Sequence, residues 1–335
     1  MKDCIKRLFL LLITVIFLYF VFVNIDLKEL FRIIKGFNLK YIFFLSISII
    51  CSLACRGICF KQLISKTVNV PLKELIPLCL TSASLNIVLP ARAGDIFRAF
   101  FIGQKYNVNK VKIFGTVMLE RIFDIFVIFC FLLVGVFIYH KNELAIHLCS
   151  IAGICILIGA TIAIIAFKYN KTNEICQFIN EKTKFFPFSN LIRKTVDFAN
   201  KTCNSFLNGF EIIESPQKIF TALLSSFGIW FFECLNFYIT IYGFGYHLHW
   251  SVTIFIICFI ALACMVPSTS IFIGPYQLAV IAAFAIYNVN KESALAISFV
   301  EQAIVTIVTS IFAVIFLFKN NISYKELKKD IEKEA

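Results

Sequence analysis

The chain has 335 residues, of which 60% are hydrophobic and 16% charged, and its mean hydropathy is +0.87. A water-soluble domain of this length needs a charged surface, so the composition excludes one and points to a single membrane domain. The net charge is +12, but the basic residues gather in connecting segments, chiefly 168–218 and the tail from Lys319, rather than on the apolar runs. That distribution argues against a nucleic-acid partner and fits loops flanking membrane spans.

The N-terminus begins with Lys2, Lys6 and Arg7 and continues as an apolar run from Leu8 to Val23. The run is long and no small-x-small cleavage site follows, so it reads as a retained span rather than a signal peptide. Residues 26–38 form a short amphipathic stretch, and a second span runs from Lys40 to Phe60. An apolar segment over 74–90 stops at Pro90, in Leu89-Pro90-Ala91-Arg92-Ala93-Gly94-Asp95, and a short segment leads on to Tyr106. Spans follow at 111–139 and 144–167. The polar, basic linker 168–218 is too short for a catalytic domain. Apolar character returns at 219–245 and 251–266, breaks between Pro267 and Pro275 around Gly274, resumes at 276–287 and ends with 292–318. The remaining residues, 321–335, form a charged tail.

Thirteen cysteines are present, mostly within apolar stretches. Cys51, Cys55 and Cys59 share a helix face, but no CxxC pair and no Cys/His cluster with zinc spacing occurs, so they read as small apolar residues. No metal and no cofactor is expected. His247 and His249, Trp230 and Trp250 read as interfacial residues, and Ser268, Thr269 and Ser270 as caps at the second break.

The pentapeptide Tyr106-Asn107-Val108-Asn109-Lys110 recurs as Tyr287-Asn288-Val289-Asn290-Lys291. Gly94 precedes the first copy and Gly274 the second at nearly equal distance, each in a Pro/Gly break. Glu120 and Glu301 follow at equal distance, each within an apolar helix. The two units, about 40–139 and 219–318, therefore share one order: apolar segment, break, short segment, loop, long span with an acid.

Orientation follows from basic residues. If 74–104 and 251–287 are re-entrant hairpins, six full spans remain, and the cytoplasmic segments hold 23 Lys and Arg against 6 outside. If both hairpins crossed fully, the eight basic residues of 168–218 would move outside. The expected fold is thus an all-α polytopic protein of about six full spans plus two re-entrant broken-helix hairpins in an inverted internal repeat. Inverted repeats with broken helices meeting near the midplane are an architecture of transporters. Both termini are expected in the cytoplasm.

An ionised group at the bilayer centre costs about 2.5–3.5 kcal/mol on insertion scales, so Glu120, Arg121 and Asp124 are the chief candidates for chemistry. Glu120 and Asp124 share a face and Arg121 projects away from them. Two readings stay open: a mutually neutralised cluster locking helices together, with Arg92 or Arg98 as partners, and a polar substrate site. Arg92, Asp95 and Arg98 follow the first break, where guanidinium groups and free helix amides suit a phosphate. Arg56 reads as a side chain snorkelling from its span. No nucleophile–base pair, Gly-rich phosphate loop or HExxH motif appears.

The stretch Asn86-Ile87-Val88-Leu89-Pro90-Ala91-Arg92-Ala93-Gly94-Asp95-Ile96-Phe97-Arg98, with Leu119-Glu120-Arg121-Ile122-Phe123-Asp124, resembles the first signature of the lysylphosphatidylglycerol synthase transmembrane family. These proteins are also called flippase-like domain proteins. The break around Pro267 and Gly274 resembles that family's second signature, and the likeness extends over essentially the whole chain.

The resemblance implies a flippase-like membrane domain over 1–320, in a bacterial inner membrane. It would move an anionic or aminoacylated phospholipid, such as lysylphosphatidylglycerol, between leaflets. The soluble aminoacyltransferase-like domain of the bifunctional members is not seen in this sequence, which favours translocation over lysyl transfer. The alternatives are a membrane component of a phosphatidylglycerol lysyltransferase, acting in cationic-peptide resistance, or a partner of a glycosyltransferase using lipid-linked sugars. Self-association is left open. Arg92, Arg98 and Arg121 would lie near phosphate, and Glu120, Asp124 and Glu301 would face amines or balance the arginines. Asp95 stands where the family usually has Glu. Gln277 and Gln302 stand where an acid and an arginine are expected, so the second half is less charged.

Overall fold

A computed structural model of the chain describes residues 17–23, 25–89, 92–138, 189–263 and 273–320. Pro90, Pro267, Ser268, Thr269, Ser270, most of the expected first span, the expected span 144–167, the linker up to 188 and the tail 321–335 lie outside the described residues. Among those described, the chain is helical and has no strands.

The α-helices that lie wholly among the described residues are, in order, α1 (Leu27–Lys35), α2 (Lys40–Ile64), α3 (Leu72–Val88), α4 (Ala93–Lys105), α5 (Lys110–Ile138), α6 (Ser189–Leu207), α7 (Pro216–Gly243), α8 (Ser251–Ala263), α9 (Pro275–Ala285) and α10 (Lys291–Lys319), with a 3-10 turn at Asn208–Glu214 before α7. By length and composition α2, α5, α7 and α10 can each cross a membrane, while α8 and α9 are shorter apolar helices. These four match the spans read from sequence at 40–60, 111–139, 219–245 and 292–318.

The recurring pentapeptide has a local structural meaning. Asn107 and Asn288 take left-handed φ values of 52° and 56°, a conformation that asparagine tolerates better than most residues. The next asparagine caps the helix that follows: Asn109 Oδ1 accepts from Val111 N at 2.9 Å and Asn290 Oδ1 from Ser293 N at 3.1 Å. Each copy therefore ends one helix, reverses the chain and starts a 29-residue helix.

Both broken segments are antiparallel hairpins. Along α3 and α4, Asn86 meets Asp95 at 3.1 Å, Arg98 meets Cys79 at 3.7 Å, and Tyr106 Oη donates to Glu74 at 3.0 Å. The chain thus returns to the end it left. Gly94 makes this close return feasible, because a Cβ there would stand 1.9 Å from the Ser82 carbonyl oxygen. In the second hairpin the Ser251 and Tyr287 hydroxyls lie 2.7 Å apart at the base, and Gly274 opens α9 with φ 104°.

The antiparallel pair α2/α7 relates the two hairpins. Asn38 N donates to Gly243 O at 2.9 Å, Ser48 Oγ reaches Phe232 O at 3.3 Å, and Gly228 faces Cys55. Small residues on this seam allow close helix approach, as is usual inside membranes. The first hairpin's base follows the C-terminal end of α2, and the second's follows the C-terminal end of α7. The bases therefore sit at opposite ends of the bundle. Each hairpin also rests on a long helix from the other half: Ser84 of α3 meets Ser310 of α10 at 3.1 Å, and Cys258 of α8 donates to Ile128 O of α5 at 3.7 Å.

Candidate functional site

Expected site residues from the first half converge on one cluster. The left-handed turn at Arg92 starts α4 and sends Asp95 and Arg98 back along α3, while α5 brings Glu120, Arg121 and Asp124 from the other side. Arg98 Nη1 lies 3.0 Å from Glu120 Oε2 and its Nη2 lies 3.8 Å from Asp95. Arg121 lies 3.1 Å from Asp95 and 2.9 Å from Asp124. The Arg98 guanidinium also stacks over Phe60 at 4.3 Å. Glu120 is fully buried, and Arg98 and Asp124 are 1% and 3% exposed.

Two expectations are corrected. Arg56 does not snorkel: its Nη1 donates to Glu120 at 2.6 Å and to Asp124 at 3.1 Å. It stands two turns before the end of α2, on the face turned to α5, and leaving two buried carboxylates with fewer partners would cost more than holding a guanidinium there. Trp230 is not an interface anchor. Its Nε1 donates to Asp124 Oδ1 at 3.0 Å, alongside Ser226 Oγ at 3.2 Å.

Arg92 takes no part in the cluster. It is exposed at the N-cap of α4, with φ 53°. The remaining residues balance: Arg56, Arg98 and Arg121 against Asp95, Glu120 and Asp124. Three cations and three anions in direct contact favour the reading of a neutralised cluster that locks α2, α4 and α5 together.

The second half is built differently. A shift of 181 positions, which carries Tyr106 onto Tyr287, also carries Glu120 onto Glu301. It puts Tyr276 in place of Asp95, Gln302 in place of Arg121, Ala279 in place of Arg98 and Val305 in place of Asp124. The links from the hairpin's second arm to the following long helix persist, without an arginine. The Tyr276 hydroxyl donates to Glu301 Oε2, Gln277 Nε2 donates to Gln302 at 2.7 Å, and Gln277 Oε1 accepts from Gly274 N at 2.7 Å. The two glutamines thus form an amide pair, and Gln277 also closes the start of α9.

Between the halves lies a cavity of about 240 Å³, lined by Arg56 of α2, Ile87 of α3, Trp230, Glu233 and Phe237 of α7, Ile257 and Ile260 of α8, Tyr276 of α9, and Glu301, Gln302 and Val305 of α10. Both hairpins contribute to its wall. Glu233 was missed in the sequence reading, although an acid inside the apolar run 219–245 was the available signal. Its carboxylate accepts from Ser52 Oγ at 2.7 Å and Asn236 Nδ2 at 3.4 Å. Among the described residues, no Lys or Arg forms an ion pair with Glu233 or Glu301. No group of three or more His, Cys, Asp or Glu among them is placed to hold a metal ion.

The model of the family described as "Lysylphosphatidylglycerol synthase TM region" matches residues 7–313. The chain belongs to this family. It is similar to the UPF0104 membrane protein MJ1078 of Methanocaldococcus jannaschii, at 23% identity over 64% of this chain and 84% of that protein. It is also similar to the UPF0104 membrane protein MJ1595 of the same organism, at 26% identity over 40% of this chain and 41% of that one. No solved structure matches. The family match spans both hairpins, the ion cluster and the cavity.

Proposed function

We propose that the protein is a lipid translocator that passes a phospholipid headgroup bearing an amine, such as an aminoacylated phosphatidylglycerol, between leaflets through the cavity between its hairpins. One observation carries the reading: Glu233 and Glu301 face a common cavity in the apolar bundle and form no ion pair with a Lys or Arg among the described residues. Uncompensated acids inside a bilayer are costly and mark substrate or ion paths. The headgroup amine would meet these two carboxylates. Arg56, whose side chain is 14% exposed, would meet the phosphate at the edge of the cavity.

The same proposal takes the units of about 40–139 and 219–318 as an inverted repeat, entered by one hairpin from each side. Its supports are the opposite hairpin bases, the paired asparagine turns and the equivalent placement of Glu120 and Glu301. Freed backbone at the two breaks would need protein or water around it in a bilayer. Basic residues at the first hairpin's base, Lys66, Lys105, Lys110 and Lys112, support a cytoplasmic position for that end.

The test is leaflet-resolved labelling of amino lipids in vesicles with and without the purified protein. Faster exposure of lysylphosphatidylglycerol at the outer leaflet, reduced at least tenfold by Glu301→Ala, supports the proposal. Identical sidedness kinetics with and without the protein, for every phospholipid and polyprenyl lipid tried, overturns it.

A further inference from the structure

We propose that Glu233 and Glu301 hold a proton between them in the empty cavity and release it when an alkylammonium group enters, so that transport is an exchange of one cation for one proton. This rests on the translocator reading for its setting but on separate observations for its chemistry.

The first observation is what faces Glu301. It is 3% exposed; its Oε2 accepts from Tyr276, and Oε1 accepts no hydrogen bond among the described residues. From α7 comes Glu233, from α9 Tyr276 and from α2 Arg56, while α3 and α8 bring only Ile87, Ile257 and Ile260 to the cavity. From α1, Lys28, Arg32 and Lys35 are exposed, and Glu29 pairs with Arg32 at 3.3 Å. Arg56 is held by Glu120 and Asp124 at 2.6 and 3.1 Å, so it is already neutralised from the cluster side. Two carboxylates in one cavity of low dielectric repel when both are ionised, and a proton on either one relieves that repulsion.

The second observation is the aromatic wall. Trp230, Phe237 and Tyr276 line the same space, and aromatic faces beside acids recognise ammonium groups. The exchange balances. An R–NH3+ group enters, one carboxylic O–H breaks heterolytically, and its proton leaves to water at the mouth of the cavity. No covalent bond to the headgroup forms. One positive charge replaces another, so the cavity's net charge is unchanged and the cost of burying the ammonium is offset within the site.

The experiment uses the full-length protein in nanodiscs with Trp250→Phe, which leaves Trp230 as the sole tryptophan. Hexyltrimethylammonium is titrated against Trp230 fluorescence from pH 5 to pH 9, with hexyl phosphate as the control. The expected result is saturable ammonium quenching whose affinity rises about tenfold per pH unit over part of the range, as one-proton linkage requires. Glu233→Gln and Glu301→Gln should each reduce that dependence to less than twofold per unit, and Glu301→Asp should restore it. Affinity independent of pH, absence of ammonium binding, or an unchanged dependence in both Gln variants overturns the proposal. If one Gln variant does not fold, the parent profile and the other variant decide. Leaflet labelling separates the two readings: lipid movement without proton linkage sinks only the exchange, and proton-linked binding without lipid movement sinks only the translocator.

Discussion

The Arg56 guanidinium lies 2.6 Å from the Glu120 carboxylate, joining the C-terminal part of α2 to α5. Both groups sit in an apolar bundle, where breaking a buried pair leaves an uncompensated charge. Arg56→Ala should therefore destabilise the protein by about 3–5 kcal/mol. The combined Arg56→Met and Glu120→Gln variant should recover more than half of the summed losses of its single substitutions. Unfolding of detergent-solubilised protein, followed by helix signal, checks this. Strictly additive losses would show that the two residues are not coupled.

Gly94→Ala should be far more damaging than Gly245→Ala. A Cβ at Gly94 would stand 1.9 Å from Ser82 O, whereas one at Gly245 meets nothing within 4 Å and adds only the strain of φ 79°. The expected losses are above about 3 kcal/mol for overpacking against backbone and about 1 kcal/mol for the left-handed position. Thermal unfolding of the two variants beside the parent decides. Equal losses would mean that α4 does not return along α3 as closely as described.

Ser84 and Ser310 have hydroxyls 3.1 Å apart, so sulfurs at these positions need move only about 1 Å to reach the S–S bond length of about 2.05 Å. A Ser84→Cys, Ser310→Cys double variant, made in a background lacking the other cysteines, should cross-link under mild oxidation. Cleavage in the connecting segment followed by non-reducing electrophoresis should then leave the halves joined. Separation of the fragments would break the assignment of the first hairpin to the long helix of the second half.

Exposed contacts should matter little. Lys112 and Glu211 pair at 2.9 Å near the surface, where such pairs contribute about 0–1 kcal/mol. Glu211→Gln should leave the unfolding midpoint within about 3 °C of the parent. Cys203, exposed on α6, offers a topology test: as the sole cysteine it should react with a membrane-impermeant maleimide only after intact cells are permeabilised. Reaction in intact cells would reverse the proposed orientation.

Much of this was legible in the sequence because membranes enforce simple rules. Long apolar runs gave α2, α5, α7 and α10, and the asparagine turns located both reversals. The ion cluster was partly legible, since Glu120, Arg121 and Asp124 share one helix and Asp95 and Arg98 follow the first break. Arg56 was hidden because snorkelling and inward pairing require the same residue at the same depth, and only the packing of α2 against α5 separates them. Glu233 was hidden for another reason. It lies on the seam helix outside both signatures, and its meaning depends on Glu301, 68 positions away in sequence, facing the same cavity.

The balanced cluster has a consequence for biosynthesis. All six of its charges, from Arg56 to Asp124, belong to the part of the chain made first. Once α5 has left the ribosome the set is complete, and the costliest side chains of that half can settle into hydrocarbon as a neutral group without awaiting the second half. The faces of α3 and α5 that wait for α10 and α8 carry serine hydroxyls and aliphatic groups, which a nascent chain can leave against lipid for some seconds. Glu233 and Glu301 arrive last, after a neutral frame is in place to receive them.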